Sequence, residues 1–329
     1  MKKIALLVLA VVSACAPPLT EQVTILDPEL SSLVSPDATI EYLTGKDYSV
    51  SEGPVWSASN EGLLFTDVPA NKIYLWKENE GVSVFMDPSG YTGFAPVIEK
   101  GSKGANGVVY YGNQLILCQH GDRRLAYVAS MNGVKPSFRS IVDNYEGKRF
   151  NSPNDVVIGR KGDFFFTDPP YGFYDSEKKG FSEERRELSF NGVYQYNSAG
   201  KLILISKEMT RPNGIALSLD EKYLYVNNSD PDKPVMMRYA VDDNWASELF
   251  FDGSELSRRY EGHFDGMKVH SSGNIFTTAP NGILILSPEG VLRGSINFGK
   301  AVTNCAFDPS ESYLYVTTFD QVARIKLQP

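Results

Sequence analysis

One short pattern recurs six times along the chain, and this repetition constrains the fold more than any other feature of the sequence. Each repeat begins with a polar residue, continues through two apolar runs separated by a turn, and closes on Thr, Asp or Asn. The polar residues that head the repeats are Glu52, Asn106, Asn154, Asn213, Asp265 and Asn304. A repeat of roughly 40 to 60 residues indicates a solenoid or a propeller.

The runs within each repeat are short, and no long segment has the 3.6-residue apolar period of a helix. Several short strands per repeat match the four-stranded blade of a propeller. We therefore predict an all-β fold, a six-bladed β-propeller with four-stranded antiparallel blades, over residues 39–329. The last repeat contains only three strand-like runs, so we expect Thr39–Leu43 to supply its fourth strand and close the ring.

The N-terminal segment reads as a signal peptide of the lipoprotein type, over residues 1–15. Lys2 and Lys3 precede the apolar run Ile4–Val12, which is too short to span a bilayer, and a lipobox-like Val-Ser-Ala-Cys ends at Cys15. Acylation of Cys15 would make the chain an exported, periplasmic or cell-envelope lipoprotein; the alternative is ordinary secretion. Residues 16–38 are predicted to form a tether between this anchor and the propeller.

Charge and cysteine content exclude several classes of partner and site. A formal net charge of −8 and a pI near 5.1 argue against nucleic acid, which requires clustered basic residues. Cys118 and Cys305 lie in apolar runs, so we expect buried thiols rather than a disulfide. A small molecule or a metal is the partner that the composition favours, with membrane contact only through the lipid anchor, and no protein partner is implied.

The repeat heads predict a metal site. The first strand of each propeller blade lines the central axis, so equivalent residues of six repeats converge there. Two carboxylates and several amides select a hard divalent cation, Ca²⁺ before Mg²⁺ or Mn²⁺, with Zn²⁺ disfavoured but a further alternative. The predicted ligands are Glu52, Asn154, Asn213 and Asp265. The alternative is that an Asn at a strand start bonds to a turn, an interpretation that we keep for Asn106 and Asn304.

A second tier of polar residues follows one hairpin after the heads, at Asp67, His120, Asp168 and Asn227–Asn228. If the second strand returns along the first, these residues lie on the entrance face beside the metal. We predict Asp168 to be catalytic and Asn154, Asn106, His120 and Tyr171 to bind substrate, although a lone His is commonly structural. The insertion Pro169–Phe190 and the loop Tyr91–Phe94 could cover the site as lids.

Several motifs together resemble the gluconolactonase, senescence marker protein and luciferin-regenerating-like family, from about Tyr48 to Leu327. They are Ser51-Glu52-Gly53-Pro54-Val55-Trp56, Asn151-Ser152-Pro153-Asn154-Asp155, Phe166-Thr167-Asp168-Pro169-Pro170-Tyr171-Gly172, Asn191-Gly192-Val193-Tyr194, Arg211-Pro212-Asn213-Gly214 and Asp265-Gly266-Met267. The resemblance implies a six-bladed propeller with a divalent metal on Glu52, Asn213 and Asp265, and Asn154 contacting metal and substrate. Ser152 replaces an Arg of the animal branch, and the motifs look like the microbial gluconolactonase branch.

The hypothesis for function is metal-dependent hydrolysis of a lactone or a sugar-derived substrate. The cation would polarise the lactone carbonyl for attack by water, Asp265 or Asp168 would accept the proton, and Asn154 would orient the substrate. The sequence has no Gly-x-Ser-x-Gly motif of a serine hydrolase. The alternatives are a non-catalytic cell-surface binding propeller stabilised by its metal, and another metal-dependent hydrolysis such as phosphotriester cleavage.

Overall fold

The computed structural model describes residue 19 and residues 21–328, and it confirms the six-bladed propeller. Six antiparallel sheets follow one another along the chain, and each first strand contacts the first strand of the next blade. The last first strand, Val302–Phe307, packs against the first one, Ser51–Ser57, so the inner strands form a closed ring. The six repeats of the sequence are therefore the six blades.

Each blade has four strands from the axis outwards, and blade 5 gains a fifth. Blade 1 has Ser51–Ser57, Gly62–Asp67, Lys72–Lys77 and Gly81–Met86; blade 2 has Ala105–Tyr111, Gln114–Gln119, Arg124–Asn132 and Lys135–Val142; blade 3 has Val156–Ile158, Phe164–Asp168, Gly192–Tyr196 and Leu202–Ser206; blade 4 has Pro212–Leu217, Tyr223–Asn228, Val235–Ala240 and Ser247–Asp252; blade 5 has Met267–Val269, Ile275–Ala279, Gly282–Leu286, Leu292–Ile296 and Val23–Ile25; blade 6 has Val302–Phe307, Tyr313–Thr318, Val322–Lys326 and Ile40–Tyr42.

Shorter elements decorate the blades. They are two two-stranded ribbons, Asn144–Tyr145 with Lys148–Arg149 and Tyr174–Asp175 with Gly180–Phe181, the 3-10 turns Pro28–Ser32 and Tyr171–Phe173, and the helix Ser254–Ser257. Within residue 19 and residues 21–328, no helix has the length and apolar character needed to cross a membrane.

The ring closes as the sequence predicted. Ile40–Tyr42 pairs antiparallel with Val322–Lys326 and becomes the outer strand of blade 6, with Ile40 opposite Ile325. The Arg324 guanidinium donates to Glu41 at 2.7 Å, which holds this N-terminal strand to the C-terminal one. Because the outer strand comes from the start of the domain, the ring cannot open without breaking a complete ladder.

The described part of the predicted tether packs onto the propeller instead of linking it loosely. Val23–Ile25 adds a fifth strand to blade 5, with Val23 opposite Ile296, and Leu30 and Val34 are buried in the same apolar cluster. Burying such side chains stabilises the segment by about 1.5–3 kcal/mol each. A free tether is thus shorter than the predicted 16–38. The signal peptide and Cys15 lie outside the described residues.

Adjacent blades join at the repeat heads through a ring of hydrogen bonds. The carbonyl of Asp265, the head of blade 5, accepts from Gly214 N at 3.1 Å and from Asn227 Nδ2 at 2.7 Å, both in blade 4. The carbonyl of Asn154 accepts in the same way from Gly107 N of blade 2 at 2.6 Å. Because the head backbones bond sideways to the neighbouring blade, their side chains are free to point into the channel.

A glycine follows four of the six heads because the next blade leaves no room for a Cβ. At Gly214 an added Cβ would lie 2.0 Å from the Asp265 carbonyl oxygen, and at Gly53 2.0 Å from the Asn106 carbonyl oxygen. Backbone atoms that meet this closely cannot rotate out of the way. The Asn-Gly, Asp-Gly and Glu-Gly pairs of the repeats are therefore packing requirements of the ring.

We predict that Gly214→Ala lowers the free energy of unfolding by about 2–3 kcal/mol, because the methyl group forces blades 4 and 5 apart. Gly159→Ala is the matched control, since its Cβ would meet only ordinary contacts at 3.4 Å and beyond. Urea titration followed by tryptophan fluorescence measures both. Equal midpoints for the two variants would show that the contact at Gly214 relaxes without cost.

Candidate functional site

A cavity of about 750 Å³ opens at the end of the channel where all six inner strands begin. Its base is lined by the predicted ligands, and its walls come from the loops of that face. The lining residues that concern the chemistry are Glu52, Asn106, His120, Asn154, Tyr171, Arg211, Asn213, Ser229, His263 and Asp265. The structure thus brings together every predicted site residue except Asp168.

Two carboxylates line the base of the cavity, those of the buried Glu52 and the partly buried Asp265. Glu52 Oε2 accepts from Gly53 N at 2.9 Å and from Asn304 Nδ2 at 3.0 Å, and burial raises the Glu52 pKa to about 7. Burial, with the charges of Glu52 and Asp155, raises the pKa of Asp265 well above its usual range. Two carboxyl groups that repel one another in a buried space favour a bound cation between them.

The donor set fits a hard divalent cation. Asn213 Oδ1 and Asp265 Oδ1 are buried oxygens that accept no hydrogen bond, which is costly unless a ligand occupies the site. Asn213 Nδ2 donates to Ser229 Oγ at 3.3 Å, which fixes the amide so that its oxygen is the free atom. Among the described residues no three His, Cys, Asp or Glu side chains form a metal cluster, so amides must complete the set.

A lysine interacts with Glu52 and Asp155 without lining the cavity. Lys268 Nζ donates to the Met267 carbonyl at 3.0 Å, and its charge moderates the rise that burial causes in the pKa of Glu52 and of Asp155. Asp155 Oδ2 is buried without a hydrogen bond. The sequence analysis missed Lys268 because it stands three residues after a repeat head, within an ordinary strand.

His120 is an uncharged side chain that the protein itself leaves unbonded. It lines the cavity, it is 1% exposed, and neither ring nitrogen has a hydrogen-bond partner. Burial lowers its pKa to about 3, so the imidazole is neutral and offers one donor and one acceptor. A substrate oxygen in the cavity would complete these bonds, which supports the prediction that His120 binds substrate.

Tyr171, which belongs to the insertion Pro169–Phe190, lies in the wall of the cavity. Its hydroxyl and Ser229 Oγ lie 2.5 Å apart, and Ser229 Oγ also donates to the Arg211 carbonyl at 3.2 Å. Burial raises the Tyr171 pKa to about 12, so the phenol stays protonated. The predicted substrate contact is thus placed in the cavity, with its hydroxyl oriented by blade 4.

Asp168 has a different place from the one predicted. Its oxygens accept from the backbone of Asn151 at 2.8 Å and of Ser152 at 2.7 Å, and it does not line the cavity. Both acceptor atoms are therefore occupied, and the side chain orients the segment that leads to Asn154. Burial raises its pKa to about 7.

Two other members of the second tier, Asp67 and Asn228, act in the same way as Asp168. Asp67 accepts from Ser49 N at 3.3 Å and Val50 N at 3.4 Å, just before the head Glu52. Asn228 Oδ1 accepts from Arg211 N at 2.7 Å, two residues before the head Asn213. Asp67, Asp168 and Asn228 therefore fix the start of the inner strand of their own blade, whereas His120 faces the cavity and Asn227 donates to the Asp265 carbonyl of the next blade.

The two predicted lids differ. Tyr174, Lys179 and Phe181 of the insertion line the cavity, so the insertion forms part of its wall. The loop Tyr91–Phe94 does not line it: Thr92 N and Phe94 N donate to Asp122 Oδ1 at 3.0 and 3.1 Å, which pins the loop beside blade 2. The buried acceptor Asp122, which the sequence analysis did not consider, decides this difference.

Sequence reasoning also missed several wall residues. Arg211 stands inside a motif that had been noticed for its Asn, and Ser229 directly follows Asn227–Asn228. His263 precedes Asp265 by two residues and carried only a weak signal. Phe319 follows the second strand of blade 6, and its equivalence to the second-tier positions of the other blades could have identified it.

The chain is similar to several known proteins in sequence and in fold. Residues 50–320 match the family model described as SMP-30/Gluconolactonase/LRE-like region. The chain is 35% identical over 319 residues to a gluconolactonase of Zymomonas mobilis, covering 93% of this chain and 86% of the relative. It is 25% identical to regucalcin of Xenopus laevis, covering 85% and 86%. A solved gluconolactonase structure from Xanthomonas campestris has a TM-score of 0.79 at 26% identity, covering 96% and 99%.

We expect Asp168→Ala to lower the free energy of unfolding by about 2–4 kcal/mol, because two buried backbone N–H groups lose their acceptor. Asp168→Asn retains one carbonyl oxygen and should lose less. Chemical denaturation measures both. A stability equal to that of the unchanged chain in Asp168→Ala would mean that water or another group takes over both donors.

Proposed function

The chain belongs to the SMP-30/Gluconolactonase/LRE-like family, and from this premise we propose that it is a lactonase that depends on a divalent cation. Hydrolysis of a lactone is the activity that its gluconolactonase relatives name. The requirement for a cation, with Ca²⁺ as the first candidate, goes beyond the activity that these relatives name. It is supported by the residues at the base of the cavity.

The observation that carries the proposal is that two carboxylates and two amides line the same end of the cavity. Glu52, Asn154, Asn213 and Asp265 head four different blades, and all four line its base. Oxygen donors with two negative charges suit Ca²⁺. Four protein side chains leave room in a shell of six to eight ligands for water and substrate.

Glu52, Asn213 and Asp265 would hold the cation, with Asn154 beside it on the substrate side. When bound, a divalent cation polarises a carbonyl and stabilises the negative charge that develops on its oxygen during hydrolysis. The chain itself contributes the placement of that carbonyl, because the side chains of the cavity wall surround the proposed cation site. The ring of inter-blade bonds keeps the four side chains in register.

Asp265 is the residue that would accept the proton from the attacking water. Its Oδ1 has no hydrogen bond, whereas both oxygens of Asp168 are occupied by backbone donors. Asp168 supports this chemistry indirectly, by orienting the segment of Asn154.

The walls of the cavity would orient the ring of the lactone. His120 offers a neutral donor and an acceptor, Asn106 Oδ1 is a buried oxygen without a partner, and Tyr171 presents a phenol. These groups are spaced around a cavity of about 750 Å³, which accommodates a small lactone with several hydroxyl groups. A sugar-derived lactone matches such a set of polar contacts.

The activity is tested by measuring acid release from a panel of aldonolactones and aliphatic lactones, with added Ca²⁺ and with a chelator. The proposal expects turnover that the chelator abolishes and Ca²⁺ restores. Turnover that survives complete metal removal would support the lactonase activity but refute its dependence on a cation. Binding of Ca²⁺ without turnover on any lactone would indicate a binding propeller.

Asp265→Ala should abolish Ca²⁺ binding and reduce turnover to background, because it removes one of two carboxylates and the proton acceptor. Isothermal titration calorimetry and the acid-release assay measure the two effects. Asp320→Ala is the matched control: this carboxylate lies on the same face, partly exposed and paired with Lys300 at 2.8 Å, but outside the cavity lining. Retained turnover in Asp265→Ala would refute the assignment.

His120→Phe should lower kcat/KM for a lactone about 10- to 100-fold, which corresponds to the loss of one or two substrate hydrogen bonds. The phenyl ring fills the same space, so the cavity keeps its shape. Ca²⁺ affinity should not change, because His120 is not among the proposed ligands. Unchanged kinetics would show that His120 is a structural residue of the wall.

A further inference from the structure

The start of the described chain is fixed at the entrance face of the propeller. Leu19 is 0% exposed and packs in an apolar cluster between blades 4 and 5. Its N–H donates to Tyr260 Oη at 2.9 Å, and its carbonyl accepts from Asn281 Nδ2 at 2.9 Å. Both side-chain bonds hold the backbone of this single residue in place.

These contacts lie at the end of blade 5 where the cavity opens. Asn281 follows the strand Ile275–Ala279, which runs back toward the start of the inner strand Met267–Val269 and hence toward Asp265. Tyr260 belongs to the segment that leads to His263 and Asp265, and both of these residues line the cavity. The chain therefore joins the propeller beside the cavity mouth.

The predicted acylation site is only four residues before this point. Four residues span at most about 14 Å when fully extended. A domain of about 310 residues has a diameter on the order of 50 Å, so such a short connection cannot pass around the propeller to its other face. An acyl anchor at Cys15 would hold the entrance side of blade 5 within about 14 Å of the bilayer.

Exposed aromatic side chains favour the same side. Within the described residues, five aromatic side chains are exposed, and four of them lie at the entrance side: Tyr42, Phe94, Tyr174 and Phe319. Only Tyr111 lies on the opposite side, in the turn between the first two strands of blade 2. Aromatic side chains are enriched at the boundary between lipid and water.

We propose that the entrance face of the propeller lies against the phospholipid bilayer to which Cys15 anchors the chain, so that the cavity opens toward the membrane surface. The proposal rests on the acylation of Cys15 and is independent of the lactonase activity. A substrate would then reach the site along the membrane surface. The bilayer, and not a protein, is the partner of the exposed aromatic residues.

The test places a fluorophore on either face of the full-length acylated chain. Phe319→Cys reports the entrance face from blade 6, and Leu219→Cys reports the opposite face from blade 4; the native side chains are 47% and 46% exposed. These blades flank blade 5 on its two sides, so the labels differ mainly in face. Cys118 and Cys305 are buried and should not react with a maleimide.

The labelled proteins are reconstituted into vesicles of phosphatidylethanolamine and phosphatidylglycerol that carry a spin-labelled lipid as quencher. The proposal expects a blue shift and strong quenching of the label at position 319, with little change at position 219. Equal quenching at both positions would indicate an edge-on or mobile anchor and would overturn the proposal. Stronger quenching at position 219 would invert the orientation and overturn it as well.

Acylation is verified on the same preparations by mass spectrometry, with Cys15→Ser as the matched chain without an anchor. Absence of the acyl group from the unchanged chain would refute the proposal directly. Cys15→Ser carrying each label should show weaker quenching at position 319 than the acylated protein. Quenching that does not depend on Cys15 would show that the anchor does not set the orientation.

Discussion

The hydrogen-bond ring on which the site depends joins four repeat heads, and the residue before each of the other two, to the neighbouring blade. The Asp265 carbonyl is held by two donors of blade 4, and Thr167 Oγ1 donates to the Asn213 carbonyl at 2.8 Å. Because the backbone of such a head is hydrogen-bonded to the neighbouring blade, its side chain points into the channel. The same bonds that close the propeller therefore gather the polar side chains at its axis.

This arrangement has an electrostatic cost that only a ligand can offset. Glu52 is buried beside the partly buried Asp265, and Asn213 Oδ1 and Asp265 Oδ1 have no protein donor. A chain selected for stability alone would place apolar residues here, since buried polar atoms without partners destabilise the fold. The positive charge of Lys268 partly offsets the negative charge of Glu52, but Lys268 donates no hydrogen bond to either of these two oxygens. The unsatisfied atoms thus mark the position of the cation that we propose.

Repetition made much of this structure predictable from the sequence. Because an inner strand begins at the same point in each repeat, the convergence of Glu52, Asn154, Asn213 and Asp265 followed from their places in the repeat alone. The closing strand near Ile40 followed from the missing strand of the last repeat.

The role of Asp168 could not be predicted in this way, because a polar residue at the end of the second strand can face either the channel or the backbone of its own blade. Only the bonds to Asn151 and Ser152 decide that question. The N-terminal segment was misjudged because composition alone does not show that Leu30 and Val34 have a cluster to enter.

The residues that serve the cation site and the residues that contact the substrate belong to different parts of the fold. The heads present oxygen atoms to a cation, and the second tier holds the heads in place, so a change in either group disturbs the ring as well as the site. The insertion that carries Tyr171, Tyr174 and Phe181 forms its own ribbon on the wall of the cavity. Its bond to blade 4 joins two side chains, Tyr171 Oη and Ser229 Oγ, and involves no backbone atom of a repeat head. The identity of the lactone should therefore depend on this insertion and on His120, while the cation chemistry depends on residues that the fold itself requires.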